Sequence, residues 1–119
     1  MLKYTEDHEW LDQSGDDVAV GITAHATGEL GDIVFIELPE VDTEVAKGDE
    51  VVVIESTKAA SGIAAPFDGV ITAVNDELAD SPEKVNEDAE GSWFFRIRPT
   101  DPSALDGLLD EADYQALIG

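Results

Sequence analysis

The sequence predicts a mainly β fold: a small sandwich or barrel with short helices at its periphery. Three observations predict it. Apolar residues come in short runs rich in Val and Ile, several alternating with small or polar residues as in half-buried strands. Clusters of Gly, Pro, Asp and Ser separate these runs. Helical signals are brief, so strands must supply the layers. At 119 residues the chain is one domain, 1–119, long enough to bury a core.

The elements follow in order. HEWLD at 8–12 leads to a turn at Gly15 and Asp16. Val18, Val20 and Ile22 then alternate as a half-buried strand. Thr23 can cap a short helix over 24–30, weakened by Gly28. DIVFIEL at 32–38 is a strand that stops before Pro39. Gly48 opens DEVVVIE at 49–55, whose unbroken apolar run predicts burial on both faces. After Ser56, Thr57 and Lys58 the chain returns as a small-residue strand over 59–65. Pro66-Phe67-Asp68-Gly69 is a turn, and 70–74 is the next strand. Ser81 before Pro82 predicts a capped helical turn. SWFFRIR at 92–98 closes the β portion, with Trp93, Phe95 and Ile97 on one face and Phe94, Arg96 and Arg98 on the other. Asp101-Pro102 starts a helical tail carrying Leu105, Leu108 and Leu109 at core spacing. Gly107 and Asp110 interrupt the tail, and Tyr114 and Leu117 continue it.

Charge excludes several functions. The formal net charge is −22, from 28 Asp plus Glu against 6 Lys plus Arg. Phosphate backbones and anionic lipids repel such a surface, so neither nucleic acid nor membrane is an expected partner. No stretch reaches the ~18 apolar residues of a membrane helix. MLKYTEDHEW lacks the pattern of a signal peptide, and cytoplasmic residence is expected. With no cysteine, the chain has no disulfide or redox thiol of its own. The acids are dispersed over turns and element ends, and lysine is scarce. This combination is read as halophilic adaptation, in which salt screens the self-repulsion.

Catalytic patterns are weak. His8 and His25 are the only histidines, and a Ser–His–Asp set is drawable anywhere among so many acids. His8, Glu9 and His25 have no zinc-ligand spacing, so packed or surface histidines and no metal site are expected. Lys58 is more informative. It is the only basic residue between Lys47 and Lys84, at the end of VVVIEST and before small residues. A Schiff-base lysine needs burial or a neighbouring cation, and this one has acids around it. A lysine at an unshielded hairpin tip suits presentation to a modifying enzyme; the plain alternative is an ordinary surface lysine.

The stretch IESTKAASGIAAPFDGVITAVNDEL resembles the lipoyl-lysine hairpin of the glycine cleavage system H proteins. That family's pattern, E-S-x-K-A-x-S, then P-x-x-G and a strand ending V-N, is met by Glu55, Ser56, Lys58, Ala59, Ser61, Pro66, Gly69, Val74 and Asn75. YTEDHEWL, GITAHATGELGDIVFIELPEVDTEV and DSPEKVNEDAEGSWFFRIRP extend the resemblance over nearly the whole chain. Biotinyl carriers flank the lysine with methionine, whereas Thr57 and Ala59 stand here. Lipoyl domains of acyltransferases lack the HEW segment and the helical tail.

The resemblance implies a barrel-sandwich hybrid. Its lipoyl-binding core spans 17–99, with an N-terminal strand over 3–12 and a C-terminal helical tail over 101–118. It implies lipoic acid in amide linkage to Lys58, with Glu55, Ser56 and Ala59 recognised by a lipoate ligase or lipoyl transferase. It implies a monomeric, non-catalytic carrier of the aminomethyl group of glycine. The group would pass from a pyridoxal-phosphate glycine decarboxylase to an aminomethyltransferase, with electrons going to dihydrolipoamide dehydrogenase. Glu9, with His8 and Asp7 beside it, would line a cleft for the loaded arm. Gly62 departs from the pattern, since many members carry an acid four positions after the lysine; this glycine is expected to loosen the returning strand. The alternative is an H-like relay protein that donates lipoate to other apo-enzymes.

Overall fold

A computed structural model describes residues 2–118; Met1, Gly119 and the side chain of Pro102 lie outside the described residues. Strands β1 (Leu2–Tyr4), β2 (Glu9–Ser14), β3 (Asp17–Ile22), β4 (Ile33–Glu37), β5 (Glu44–Val45), β6 (Glu50–Ser56), β7 (Ala60–Ala64), β8 (Gly69–Val74) and β9 (Phe95–Pro99) form two antiparallel sheets. The larger has the order β1-β2-β3-β9-β8-β5 and the smaller β4-β6-β7. Helices α1 (Ala24–Leu30), α2 (Asp76–Asp80), α3 (Glu83–Glu87) and α4 (Glu111–Ile118) sit at the periphery, with a 3-10 turn at Pro102–Leu105. This is the expected barrel-sandwich hybrid with short helices and a helical C-terminal segment.

The core lies between the sheets. Leu11, Val18, Val20, Phe95 and Ile97 of the larger sheet meet Ile36, Val52, Ile54 and Ile63 of the smaller. Burial of this apolar surface is the main stabilising contribution. A second cluster of Tyr4, Trp10, Ala19 and Tyr114 forms apart from it. Trp10 pairs with Gly21 across β2 and β3, and a Cβ on Gly21 would stand 2.5 Å from the indole. The indole nitrogen donates to the Ala89 carbonyl at 3.1 Å. The expectation of a half-buried β3 is therefore corrected: Ala19 and Gly21 are buried too, because Trp10 and Tyr114 cover the face turned from the core.

Other expectations need adjusting. The N-terminal strand over 3–12 is two strands, β1 and β2, paired as a hairpin through Tyr4 and Trp10. The chain turns between them, where the Thr5 carbonyl accepts from His8 N–H and the Glu9 carbonyl from Thr5 N–H. His8 takes φ 67, which no continuous strand could accommodate. The strand expected over 92–98 is observed as Phe95–Pro99, and Phe94, just before it, is already tied to β3 through its N–H on the Val20 carbonyl. Phe94 consequently joins Phe95 in the main core, while Trp93 packs on the second cluster. Ser81 does not cap α3, whose first turn follows Pro82 without a side-chain cap bond. Thr23 does cap α1, accepting from Ala26 N–H. In α4 Tyr114 is buried, whereas Leu117 is 52% exposed.

Candidate functional site

The β6–β7 hairpin places Lys58 at its tip. Its register is fixed by Ile54 opposite Ser61 and Glu55 opposite Ala60. Ser56 closes the turn. Its N–H and hydroxyl both donate to the Ala59 carbonyl, at 3.0 and 2.8 Å. Its hydroxyl oxygen accepts from Lys58 N–H at 3.3 Å and Ala59 N–H at 3.1 Å. Thr57 N–H donates to the Asp32 carbonyl, tying the tip to the segment before β4. The tip backbone is held while Lys58 and Ala59 stay exposed. Glu55 is also exposed, one position before Ser56. Among the described residues, no carboxylate forms an ion pair with Lys58.

The lysine stem runs over Gly31. This residue has φ 78, and a Cβ there would lie 3.2 Å from Lys58 Cε. Glycine both permits the left-handed backbone and leaves room for the stem. An exposed, unpaired amine on a fixed turn fits amide formation with an acyl group, since no ion pair is lost when the charge is removed.

The opposite end of β7 holds a buried acid. Glu9 shares a strand face with Leu11, so its carboxylate points toward the intersheet side. It is only 4% exposed. Ala64 N–H, at the end of β7, donates to Glu9 Oε2 at 3.2 Å, and Thr5 Oγ1 donates to Oε1 at 3.4 Å. Burial pushes the carboxyl up to about 7. The Ala64 hydrogen bond opposes the rise, the Asp7 carboxylate adds to it, and the Thr5 hydrogen bond opposes it. Glu9 lines a cleft of about 340 Å³, with Tyr4, Leu108 and Leu109 as apolar wall and Asp7 and Lys47 among its charged groups.

Glu9 and Asp7 are thus brought together at the cleft, but His8 is not among its lining residues. The His8 ring turns toward α4, with Nδ1 2.8 Å from Tyr114 Oη. Strand alternation and the bent backbone at His8 separate the neighbours. The sequence reading missed Thr5, Ala64 and Lys47, which reach the cleft from separate segments. Gly62 is required where it stands: a Cβ would lie 2.6 Å from the Val52 carbonyl oxygen. The same space is bordered by the Glu50 carboxylate, 3.4 Å from that Cβ position. Rather than loosening β7, Gly62 allows its close approach to β6.

A barrel-sandwich hybrid with a lysine at a hairpin tip is the architecture of lipoyl- and biotinyl-type carrier domains. Comparison with known proteins narrows the class. The family described as Glycine cleavage H-protein matches residues 2–119. "Glycine cleavage system H protein 2" of Pseudomonas putida (strain KT2440) is 54% identical, over 99% of this chain and 94% of that protein. A "Glycine cleavage system H protein" of Shewanella sp. (strain ANA-3) is 55% identical, over 98% and 92%. The crystal structure of a glycine cleavage system H protein from Mycobacterium marinum superposes with a TM-score of 0.89 at 39% identity, over 99% of this chain and 96% of that one. The chain belongs to the glycine cleavage H-protein family.

Proposed function

We propose that this protein is the lipoylated carrier of a glycine cleavage system, with lipoic acid joined to Lys58 by an amide bond. The observation that carries the reading is the exposed Lys58, unpaired among the described residues, on a turn closed by Ser56 in a chain of this family. When attached, lipoic acid supplies the disulfide–dithiol chemistry that a cysteine-free chain lacks. The protein itself contributes reach and local concentration rather than a catalytic group. The hairpin fixes the origin of the arm, and Gly31 gives its stem room to swing. Glu55, Ser56 and Ala59 form the surface read by a lipoate ligase or lipoyl transferase.

The partners of this reading are glycine decarboxylase, aminomethyltransferase and dihydrolipoamide dehydrogenase. The cargo is the aminomethyl group of glycine. Glu9, with Asp7 beside it, offers an anion to the cationic end of that cargo. A cation entering the cleft would favour the ionised form of Glu9, its proton leaving to solvent, and would pair with the resulting carboxylate. Val34 and Phe35 are 58% and 46% exposed on β4, and Phe35 pairs with Glu55. They give partners an apolar contact that salt does not screen. The dispersed charge of −22 is read as adaptation to high salt, so stability falls as salt drops below ~0.5 M.

Intact mass and peptide mapping of protein from its native host test the reading. One lipoyl increment on Lys58 supports it. An unmodified Lys58 in a host that lipoylates its other carriers overturns it. Reconstitution with the three enzymes and glycine, against an assay of lipoate donation to an apo-acyltransferase, separates the carrier from a relay protein.

A further inference from the structure

Two histidines far apart in sequence meet beside the start of α1. The His8 and His25 ring centroids are 4.5 Å apart. His25 Nε2 lies 2.7 Å from Glu29 Oε1, one helical turn along α1. One ligand-type atom from each of His8, His25 and Glu29 falls within 4.8 Å of the others. The sequence offered no such set, because it paired the histidines with Glu9, which the fold sends to the opposite face.

We propose that His8, His25 and Glu29 form a binding site for a late first-row divalent metal, zinc being the physiological candidate. Two imidazoles and a carboxylate are the donors such ions favour, and three protein ligands leave a fourth position for water. In tetrahedral zinc geometry, with ~2.0–2.1 Å bonds, donor atoms stand ~3.4 Å apart. Reaching that spacing needs side-chain movement of about an ångström. His25 and Glu29 can supply it, their side chains being 36% and 63% exposed. The metal would take the place of the direct His25–Glu29 contact.

His8 is the prearranged member. Its backbone sits at φ 67, held by its own N–H on the Thr5 carbonyl and by Thr23 N–H donating to its carbonyl. Its Nδ1 lies 2.8 Å from Tyr114 Oη, which lies 2.7 Å from Thr23 Oγ1. Thr23 Oγ1 already accepts from Ala26 N–H as the α1 cap. One polarity that satisfies this chain has Nδ1–H donating to Tyr114 and the Tyr114 hydroxyl donating to Thr23, and metal binding at Nε2 would select it. That tautomer leaves Nε2 with its lone pair for the metal. Orientation of a ligand histidine through its second nitrogen is a common feature of metal sites. Tyr114 is therefore a positioning residue. Glu90, which accepts from Ala24 N–H at the helix start, adds negative charge nearby. A bound ion would join the β1–β2 turn to α1 and, through Tyr114, to α4.

The test is a zinc titration of the full-length, metal-free protein by calorimetry. Excess magnesium is present to occupy the dispersed carboxylates. One zinc per chain is expected, with the His8 and His25 imidazole NMR signals shifting together. His25→Ala and Glu29→Gln should each weaken binding about tenfold or more, and Tyr114→Phe about tenfold. Glu44→Gln, on β5, should leave the affinity unchanged. Circular dichroism checks that each variant is folded. Absence of a stoichiometric site under magnesium, unmoved histidine signals, or equal affinity in folded His25→Ala or Glu29→Gln overturns the proposal.

Discussion

The two ends of β7 present ionisable side chains in opposite settings. Before its start, Lys58 is exposed and unpaired among the described residues, while Ser56 holds the backbone beneath it. At its end, Glu9 is buried and hydrogen-bonded to Ala64 N–H. One strand thus connects an exposed lysine with a buried carboxyl whose proton is retained by desolvation. The difference shows that the hairpin backbone can be held by hydrogen bonds while the side chain at its tip stays exposed. At Glu9 the fold removes water, which favours the protonated carboxyl until a positive charge arrives.

Changing the tip should have the largest effect. Lys58→Arg keeps the positive charge but removes the acylatable amine, so lipoyl loading should fall to zero on intact mass while the fold is retained. Any residual increment would move the attachment site elsewhere.

At the other end, Glu9→Gln should change the pH dependence of stability. Glu9 is raised from 4.5 to about 7 in the folded state. A raised carboxyl contributes stability that is full below the unfolded value and lost as pH rises through the folded one. The wild type should therefore lose stability between pH 4.5 and 7 relative to Glu9→Gln, by at most about 3 kcal/mol. Urea midpoints at constant high salt, with chelator to keep His8 metal-free, would show it. Parallel curves for the two proteins would mean that Glu9 is not held in a dry site.

Gly62→Ala tests the strand between the two ends. A Cβ 2.6 Å from the Val52 carbonyl must push β7 from β6. The expected cost is about 1–3 kcal/mol of unfolding free energy, readable by urea denaturation. Smallest is Ser56→Ala, which removes the hydroxyl bonds of the tip but not its backbone bond. It should cost about 1 kcal/mol and slow lipoylation more than it lowers stability. A stability loss with unchanged lipoylation would make Ser56 a structural residue only.

Most elements were legible because their signals are local. The Thr23 cap, the Gly15–Asp16 turn and the hairpin around Lys58 each depend on residues a few positions apart. Errors occurred where distant segments decided. Trp10 buries the second face of β3. Phe94 bonds Val20 before strand pairing starts, and the bend at His8 divides the N-terminal strand. The cleft was half legible: the EDHEW segment marked Glu9 and Asp7, but Thr5, Ala64 and Lys47 carry no sequence mark of their association with them.

By itself the sequence determined the β architecture, the family and the lysine at the tip, since periodicity, turn chemistry and a local motif are written in consecutive residues. Tertiary structure alone decided the surroundings of the charges. Glu9 is buried by β7, and His8 meets His25 and Tyr114 across 17 and 106 positions of chain. Desolvation and donor convergence depend on which surfaces pack together, and only the folded chain sets that.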